Sequence, residues 1–281
     1  MQKKKNLKRI SKKLKSLWNK FYFSKNNKMA MDLIENKRND YISFKGRSFR
    51  VGEKGSTVSF TGLTRRLHDV FWPQTDDNPE GNEDSKSRKP LFNKEHYVPS
   101  IGMKRTCKTW GSIHGKKVHK QISKIIGKIT SGKSIKLNSN LDPCTLRILN
   151  LFCIKSWIPF VTEFQIFDES SSVATAIDFC VFDTEKSKII LIELKTGYET
   201  QEYGELPEDE YMKHINIKNC PLNRHMLQLL WMQLVLEKRY GLKVDESMIL
   251  RTCPKQRLTH LINKPNWSNS EHIRQKLFVN I

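Results

Sequence analysis

Three charged side chains interrupt two apolar stretches in the second half of the chain. Residues 188–195 read KIILIELK, so Glu193 and Lys195 occupy alternate positions at the end of an apolar run. Alternate side chains of a strand share one face. Asp178 lies inside a second apolar run, VATAIDFCVFD at 173–183. A carboxylate in such surroundings is costly to desolvate unless a cation or a hydrogen-bonding partner satisfies it. These residues are therefore the first candidates for chemistry.

The separation of Asp178 and Glu193 suits two strands joined by a turn. We predict three strands in this part of the chain, at 158–167, 173–183 and 188–195. With the turn at 183–187, both carboxylates would lie on adjacent strands about 4.8 Å apart, close enough to ligate one divalent ion. Hard oxygen ligands favour Mg²⁺ or Mn²⁺, and Lys195 would position or deprotonate a water that attacks a phosphodiester. The alternative is a surface Glu193–Lys195 ion pair with Asp178 at the rim of the core.

Helical patterns lie on both sides of these strands. Residues 112–129 carry apolar side chains at helical spacing, and a second helix is predicted to begin at Asp142-Pro143. A third is predicted from Pro221 to Tyr240, with Gly241 suited to its end. The fold class predicted from this order is α/β, a central mixed β-sheet flanked by helices, with a basic helical extension at the N-terminus.

The order of the candidate residues resembles the PD-(D/E)XK nuclease superfamily. Asp178 followed by Glu193-Leu194-Lys195 looks like its D…E-x-K core. The segment IELKTG at 192–197 is similar to the RecB-like, lambda-exonuclease-like branch, which includes the mitochondrial genome maintenance exonuclease type. Gly115-Lys-Lys-Val-His119 resembles the upstream Gly-x-x-x-His helix of that branch, and Gln228 resembles the Gln of its downstream helix. The resemblance covers about residues 110–240.

The resemblance implies a restriction-endonuclease-like core and a metal-dependent DNA nuclease, expected to be an exonuclease of replication, repair or recombination. The implied catalytic residues are Asp178, Glu193, Lys195 and Gln228. The implied ligands of Mg²⁺ or Mn²⁺ are His119, Asp178, Glu193 and the backbone carbonyl of Leu194. Replication or recombination proteins are the implied protein partners. The alternative function is a non-catalytic nucleic-acid-binding protein on a degenerate nuclease fold.

Several roles stay open at this point. His119 shares a helical face with apolar residues and also fits a core histidine, while His114 competes with it from the same helix. Gln228 also fits a buried structural amide. Glu163 interrupts the first predicted strand and is a candidate for an additional ligand or a water-positioning group.

Positive charge is concentrated in two acid-free segments of this chain of 281 residues and net charge +21. Residues 1–31 hold 11 Lys and Arg, and residues 96–141 hold 10. A lysine-rich coding bias would not remove acids from both segments, so we expect a polyanionic partner such as a nucleic acid. Four lysines beside His119 form a solvated helix face or follow a phosphate backbone: Lys116, Lys117, Lys120 and Lys124.

A basic amphipathic helix is predicted at residues 6–22. Three interpretations compete: a nucleic-acid-binding arm, a membrane-surface or targeting helix, and a helix docked on the body of the protein. We divide the chain into a basic amphipathic arm (1–31), a variable region (32–100) with a polar, mobile loop at 74–90, and a nuclease domain (101–281).

Other classes of protein are disfavoured by composition. No apolar run reaches the length of about 18 residues that a membrane-spanning helix needs, so stable membrane insertion is not expected. Lysines interrupt the N-terminal stretch where a signal peptide would be apolar. None of the six cysteines forms a Cys-x-x-Cys pair, which disfavours a zinc finger or iron–sulfur cluster and fits a reducing compartment. We expect an intracellular protein, in the nucleus or mitochondrion if the source is eukaryotic or viral.

Overall fold

A computed structural model describes most of the chain from residue 107 onward and separate parts of the N-terminal region. The described residues are 2–22, 42–45, 48–51, 58–72, 107–131, 133, 137, 140–196, 211–252 and 259–278. The predicted mobile loop at 74–90 lies outside the described residues, as does much of the predicted variable region.

The described residues form eight strands, six α-helices and one 3₁₀-helix. The strands are β1 (Ile42–Lys45), β2 (Ser48–Val51), β3 (Val58–Gly62), β4 (Trp157–Asp168), β5 (Val173–Asp183), β6 (Lys188–Thr196), β7 (Glu246–Thr252) and β8 (Thr259–Asn263). The α-helices are α1 (Gln2–Tyr22), α2 (Leu63–Phe71), α3 (Cys107–Thr130), α4 (Pro143–Ile154), α5 (Pro221–Tyr240) and α6 (Glu271–Lys276), and the 3₁₀-helix is Asn266–Asn269.

The strands form one mixed sheet centred on β5. Along one edge β5 pairs antiparallel with β4. Along the other it pairs in parallel with β3 at 173–174 and antiparallel with β6 at 179–183. β6 and β7 are parallel, and β7 and β8 are antiparallel. The predicted α/β class with a mixed sheet flanked by helices is therefore confirmed, and β7 and β8 extend the sheet beyond the strands that the sequence predicted.

The helix starts and ends follow the capping signals in the sequence. Asp142 caps α4, where its carboxylate accepts from the backbone N–H of Cys144, and Pro143 occupies the first turn. α5 begins at Pro221 and ends at Gly241, whose φ of 63° is the left-handed conformation that glycine adopts without a Cβ penalty. Among the described residues, no helix combines the length and apolarity that crossing a membrane requires.

The N-terminal helix α1 is docked on the domain. Its apolar face is buried in the main hydrophobic core, with Phe21 only 1% exposed. The Phe21 ring lies 5.8 Å from that of Phe160 on β4 and 5.4 Å from that of Phe182 on β5. Of the three interpretations of this segment, the structure shows the docked helix. The same apolar face is therefore not available to a membrane surface.

Candidate metal centre

Three adjacent strands bring three carboxylates to one level of the sheet. Phe179 on β5 pairs with Thr162 on β4 and with Ile192 on β6. Neighbouring strands lie about 4.8 Å apart. The residues one position beyond this row, at 163, 178 and 193, are therefore also neighbours. Each of those three positions holds an acidic residue: Glu163 on β4, Asp178 on β5 and Glu193 on β6.

Asp178 is buried and bridges two strands. Its exposed fraction is 9%, and that of Glu193 is 8%. The recorded β5–β6 pairing reaches Phe179, and one residue further Asp178 Oδ2 accepts a hydrogen bond of 2.7 Å from the backbone N–H of Leu194. The carboxylate thus accepts from a backbone N–H at the point where the backbone pairing of β5 and β6 ends. The hairpin spacing in the sequence had predicted this proximity of Asp178 and the Glu193 strand.

Helix α3 places His119 against the carboxylates. His119 Nδ1 lies 2.8 Å from Glu163 Oε1 and 3.4 Å from Asp178 Oδ1. One ligand atom from each of these three residues lies within 4.8 Å of the other two. An imidazole nitrogen and two carboxylate oxygens are a donor set that a divalent cation such as Mg²⁺ or Mn²⁺ could use.

The close approach of α3 to the sheet depends on Gly115. A Cβ at this position would lie 3.0 Å from Thr196 Oγ1 at the end of β6. His119 is four residues later, one turn along the same helix. The Gly-x-x-x-His spacing therefore has a physical basis here, because glycine lets the helix approach β6 closely while the histidine reaches Asp178.

Glu163 adopts a backbone conformation unusual for a strand. Its φ of 51° lies in the left-handed region, which costs a non-glycine residue about 1–3 kcal/mol. Such conformations cluster at functional sites. The sequence suggests Glu163 as an additional ligand. In the structure, Glu163 Oε1 lies within hydrogen-bond distance of His119 Nδ1.

Lys195 is paired with Glu193. Its Nζ lies 2.6 Å from Glu193 Oε1, and both side chains are largely buried. The predicted Glu-x-Lys face is therefore present, and it lies in the site rather than on an open surface.

His225, on the first turns of α5, is a site residue that the sequence analysis did not identify. Burial and the nearby positive charge of Lys195 lower the pKa of His225 well below its usual value, so this imidazole is neutral.

The titration behaviour of the site reflects an excess of negative charge. Burial raises the pKa of the Asp178 carboxyl far above its ordinary value, and the charge of Glu193 adds to this rise. Burial alone would lower the pKa of His119, but Asp178 and Glu163 outweigh it and raise that pKa to about 9. Both shifts indicate a site that favours an added cation.

A cleft of about 780 Å³ opens above the cluster. Lysines spaced four residues apart on α3 line it together with the candidate ligands: Lys116, Lys120, Lys124, His119, Glu163 and Asp178. The sequence predicts that Lys117 belongs with these lysines. In the structure its side chain lies outside the cleft lining, with Nζ 3.5 Å from Asp142 Oδ2. Three of the four predicted DNA-binding lysines therefore share the cleft.

Gln228 and Leu194 were also predicted site residues. In the described part of the chain, Gln228 Nε2 donates a hydrogen bond of 2.9 Å to Thr64 Oγ1 on α2, so its amide joins two helices and has no recorded bond to the carboxylates. Leu194 contributes its backbone N–H to Asp178, while the predicted role of its carbonyl as a ligand stays a prediction.

Arg251 is a site residue that local sequence patterns do not indicate. It lies on β7 directly opposite Lys195 on β6, and it is 9% exposed. Paired residues on neighbouring strands present their side chains on the same face. The pairing therefore places the Arg251 and Lys195 side chains on the same face of the sheet. The signal is a long-range parallel pairing, which local sequence patterns do not reveal.

No family model matches the chain, and no curated protein matches it at a significant level.

Proposed function

We propose that this protein is a metal-dependent DNA nuclease of the PD-(D/E)XK type that hydrolyses phosphodiester bonds, with exonuclease as the expected mode. The observation that supports it most strongly is the joint placement of His119, Glu163 and Asp178 within 4.8 Å, with the Glu193–Lys195 pair on the next strand. Two carboxylates buried side by side in an apolar sheet are costly to desolvate, and a divalent cation would offset that cost.

The donor set of this centre fits Mg²⁺ or Mn²⁺. His119, Glu163 and Asp178 would hold the ion, with Glu193 beside them on β6. When bound, such an ion polarises a phosphodiester and lowers the pKa of a bound water. Lys195 lies next to Glu193 and can donate to the attacking water or to a phosphate oxygen. Arg251, opposite Lys195, provides further donors for the same phosphate.

The cleft provides a route for the nucleic-acid backbone. Lys116, Lys120 and Lys124 follow one stripe of α3, about 6 Å apart along the helix axis. Ammonium groups in such a row position a backbone without reading its sequence. Binding through them would be strongly salt-dependent. This supports a nuclease that acts without strong sequence preference.

The test is digestion of end-labelled linear DNA with Mg²⁺ or Mn²⁺ by the parent protein and two variants, Asp178→Asn and Lys195→Ala. We expect each variant to lose activity by more than about 100-fold, because each removes a group that acts in the reaction. The matched control is Glu185→Gln, an exposed carboxylate in the turn between β5 and β6, which should cleave like the parent. Circular substrates run in parallel distinguish exonuclease from endonuclease.

Two results would overturn the proposal. One is equal cleavage by the parent, Asp178→Asn and Lys195→Ala. The other is DNA binding with a steep salt dependence but no cleavage by the parent with either metal on single-stranded or double-stranded substrates. The second result would favour a non-catalytic binding protein on the same fold.

A further inference from the structure

A second cluster of metal-ligand side chains lies where α3 contacts the start of α4. His114 on α3 and Asp142 at the N-terminus of α4 meet, with His114 Nε2 3.2 Å from both carboxylate oxygens. Cys144, two residues after Asp142, completes the group. One ligand atom of each residue lies within 4.8 Å of the other two. All three side chains are buried, and Cys144 is 0% exposed.

Neighbouring contacts hold the three donors close together. His114 Nε2 lies 3.2 Å from the Asp142 carboxylate, and the backbone N–H of Cys144 donates a hydrogen bond of 3.0 Å to the same carboxylate. Arg147 Nη2 lies 3.1 Å from Cys144 Sγ and donates a hydrogen bond to it.

The chemistry of this cluster differs from that of the candidate catalytic centre. A thiolate, an imidazole and a carboxylate together are typical ligands of Zn²⁺, whereas Mg²⁺ takes oxygen ligands. His114 and His119 are five residues apart, which turns them about 140° from each other around α3. The helix therefore presents one histidine to each cluster, and the two clusters are separate.

We propose that His114, Asp142 and Cys144 form a second metal site, which takes Zn²⁺ or a similar soft divalent cation and ties α3 to the start of α4. Ligands about 2.0–2.3 Å from a tetrahedral zinc are about 3.3–3.8 Å from each other, so small side-chain adjustments bring these three donors into range. A fourth ligand, such as a water, would complete the tetrahedron. The site stabilises the helix that carries His119 and takes no part in phosphodiester hydrolysis.

The experiment uses the full chain, stripped of metal with a chelator under reducing conditions and titrated with Co²⁺. We expect the visible bands of tetrahedral cobalt and a near-ultraviolet thiolate-to-cobalt charge-transfer band, with a final intensity that corresponds to one thiolate-bound cobalt per chain. Zn²⁺ should displace the cobalt, and excess Mg²⁺ should not. Saturating Zn²⁺ should also raise the unfolding temperature by roughly 5–10 °C at 100 times its dissociation constant.

Variants assign the signal to residues. Cys144→Ser should abolish the charge-transfer band, and His114→Gln should weaken cobalt binding at least about tenfold. Cys153→Ser, another buried cysteine, is the matched control and should keep the band. Asp178→Asn should also keep it, so the result is independent of whether the protein is a nuclease.

The proposal fails if the parent shows no charge-transfer band at saturating Co²⁺, or if the band survives in Cys144→Ser, because another cysteine would then be the ligand. If Cys144→Ser does not fold, the parent titration and His114→Gln decide. A cobalt affinity in His114→Gln equal to that of the parent would also overturn the assignment.

Discussion

The substitution Gly115→Ala tests whether the approach of α3 to β6 sets the geometry of the site. The added Cβ would lie 3.0 Å from Thr196 Oγ1, closer than side chains normally pack. Either Thr196 shifts or the helix moves away from the strand. His119 lies one turn further on, so movement of the helix withdraws its imidazole from Glu163 and Asp178.

Two opposing contributions set the magnitude. Replacing glycine by alanine in a helix interior is worth about 1 kcal/mol from helix propensity. Overpacking by one methyl costs about 1–3 kcal/mol. We therefore expect Gly115→Ala to change the free energy of unfolding by between zero and a loss of about 2 kcal/mol. Because small displacements of a catalytic group are expensive, we expect cleavage to fall about 10–100-fold.

The same helix offers a matched control. A Cβ at Gly127 would meet no atom within 4 Å, so Gly127→Ala should gain about 1 kcal/mol of stability and leave cleavage unchanged. Urea unfolding and initial cleavage rates measure the two effects. The double variant Gly115→Ala/Thr196→Ala should recover both stability and rate. Equal stabilisation by Gly115→Ala and Gly127→Ala, with equal activity, would refute the close-contact explanation.

Three further predictions concern pH, DNA binding and the N-terminal helix. The Mg²⁺ concentration for half-maximal cleavage should fall as pH rises towards about 9, because metal binding must remove the proton that the raised pKa keeps on His119. A half-maximal Mg²⁺ concentration that does not change between pH 6.5 and 9 would contradict this. Lys120→Ala should reduce the slope of log affinity for DNA against log salt concentration by about 1, because Lys120 lines the cleft. Lys117→Ala should leave this slope unchanged, because the Lys117 side chain contacts Asp142 instead. Filter binding or fluorescence anisotropy measures both slopes. Phe21→Ala should cost about 3–5 kcal/mol in urea unfolding because it empties a buried aromatic site, while an undocked arm would give a loss near zero.

The part of the site predictable from the sequence is the part made by local spacing. Asp178 and Glu193 lie on two strands that a short turn joins, so the register of this hairpin places them side by side. Glu193 and Lys195 share a face because they are two residues apart in a strand. The starts of α4 and α5 carried capping signals at Asp142 and Pro221. Each of these inferences needs only a few neighbouring residues.

The remaining contacts depend on long-range packing. Glu163 reaches Asp178 only because the β4–β5 register shifts between Pro159 and Val161, which no local pattern encodes. Arg251 lies opposite Lys195 because of a parallel pairing between strands that are more than 50 residues apart in the chain. The sequence suggests His114 only as a competitor of His119, because its partner Asp142 lies 28 residues away in sequence.

The charges of the candidate metal centre explain why the two raised pKa values occur together. Glu163, Asp178 and Glu193 carry three negative charges when ionised, and Lys195 supplies one positive charge. Burial raises the pKa of Asp178 and the charge of Glu193 adds to the rise, while the neighbouring carboxylates raise the pKa of His119. Without a metal, protons on His119 and Asp178 bring the site close to neutrality. A divalent cation supplies the same two charges, so it can replace two protons without leaving a net charge buried. The placement of His119, Glu163 and Asp178 around one point is what favours a divalent ion over protons.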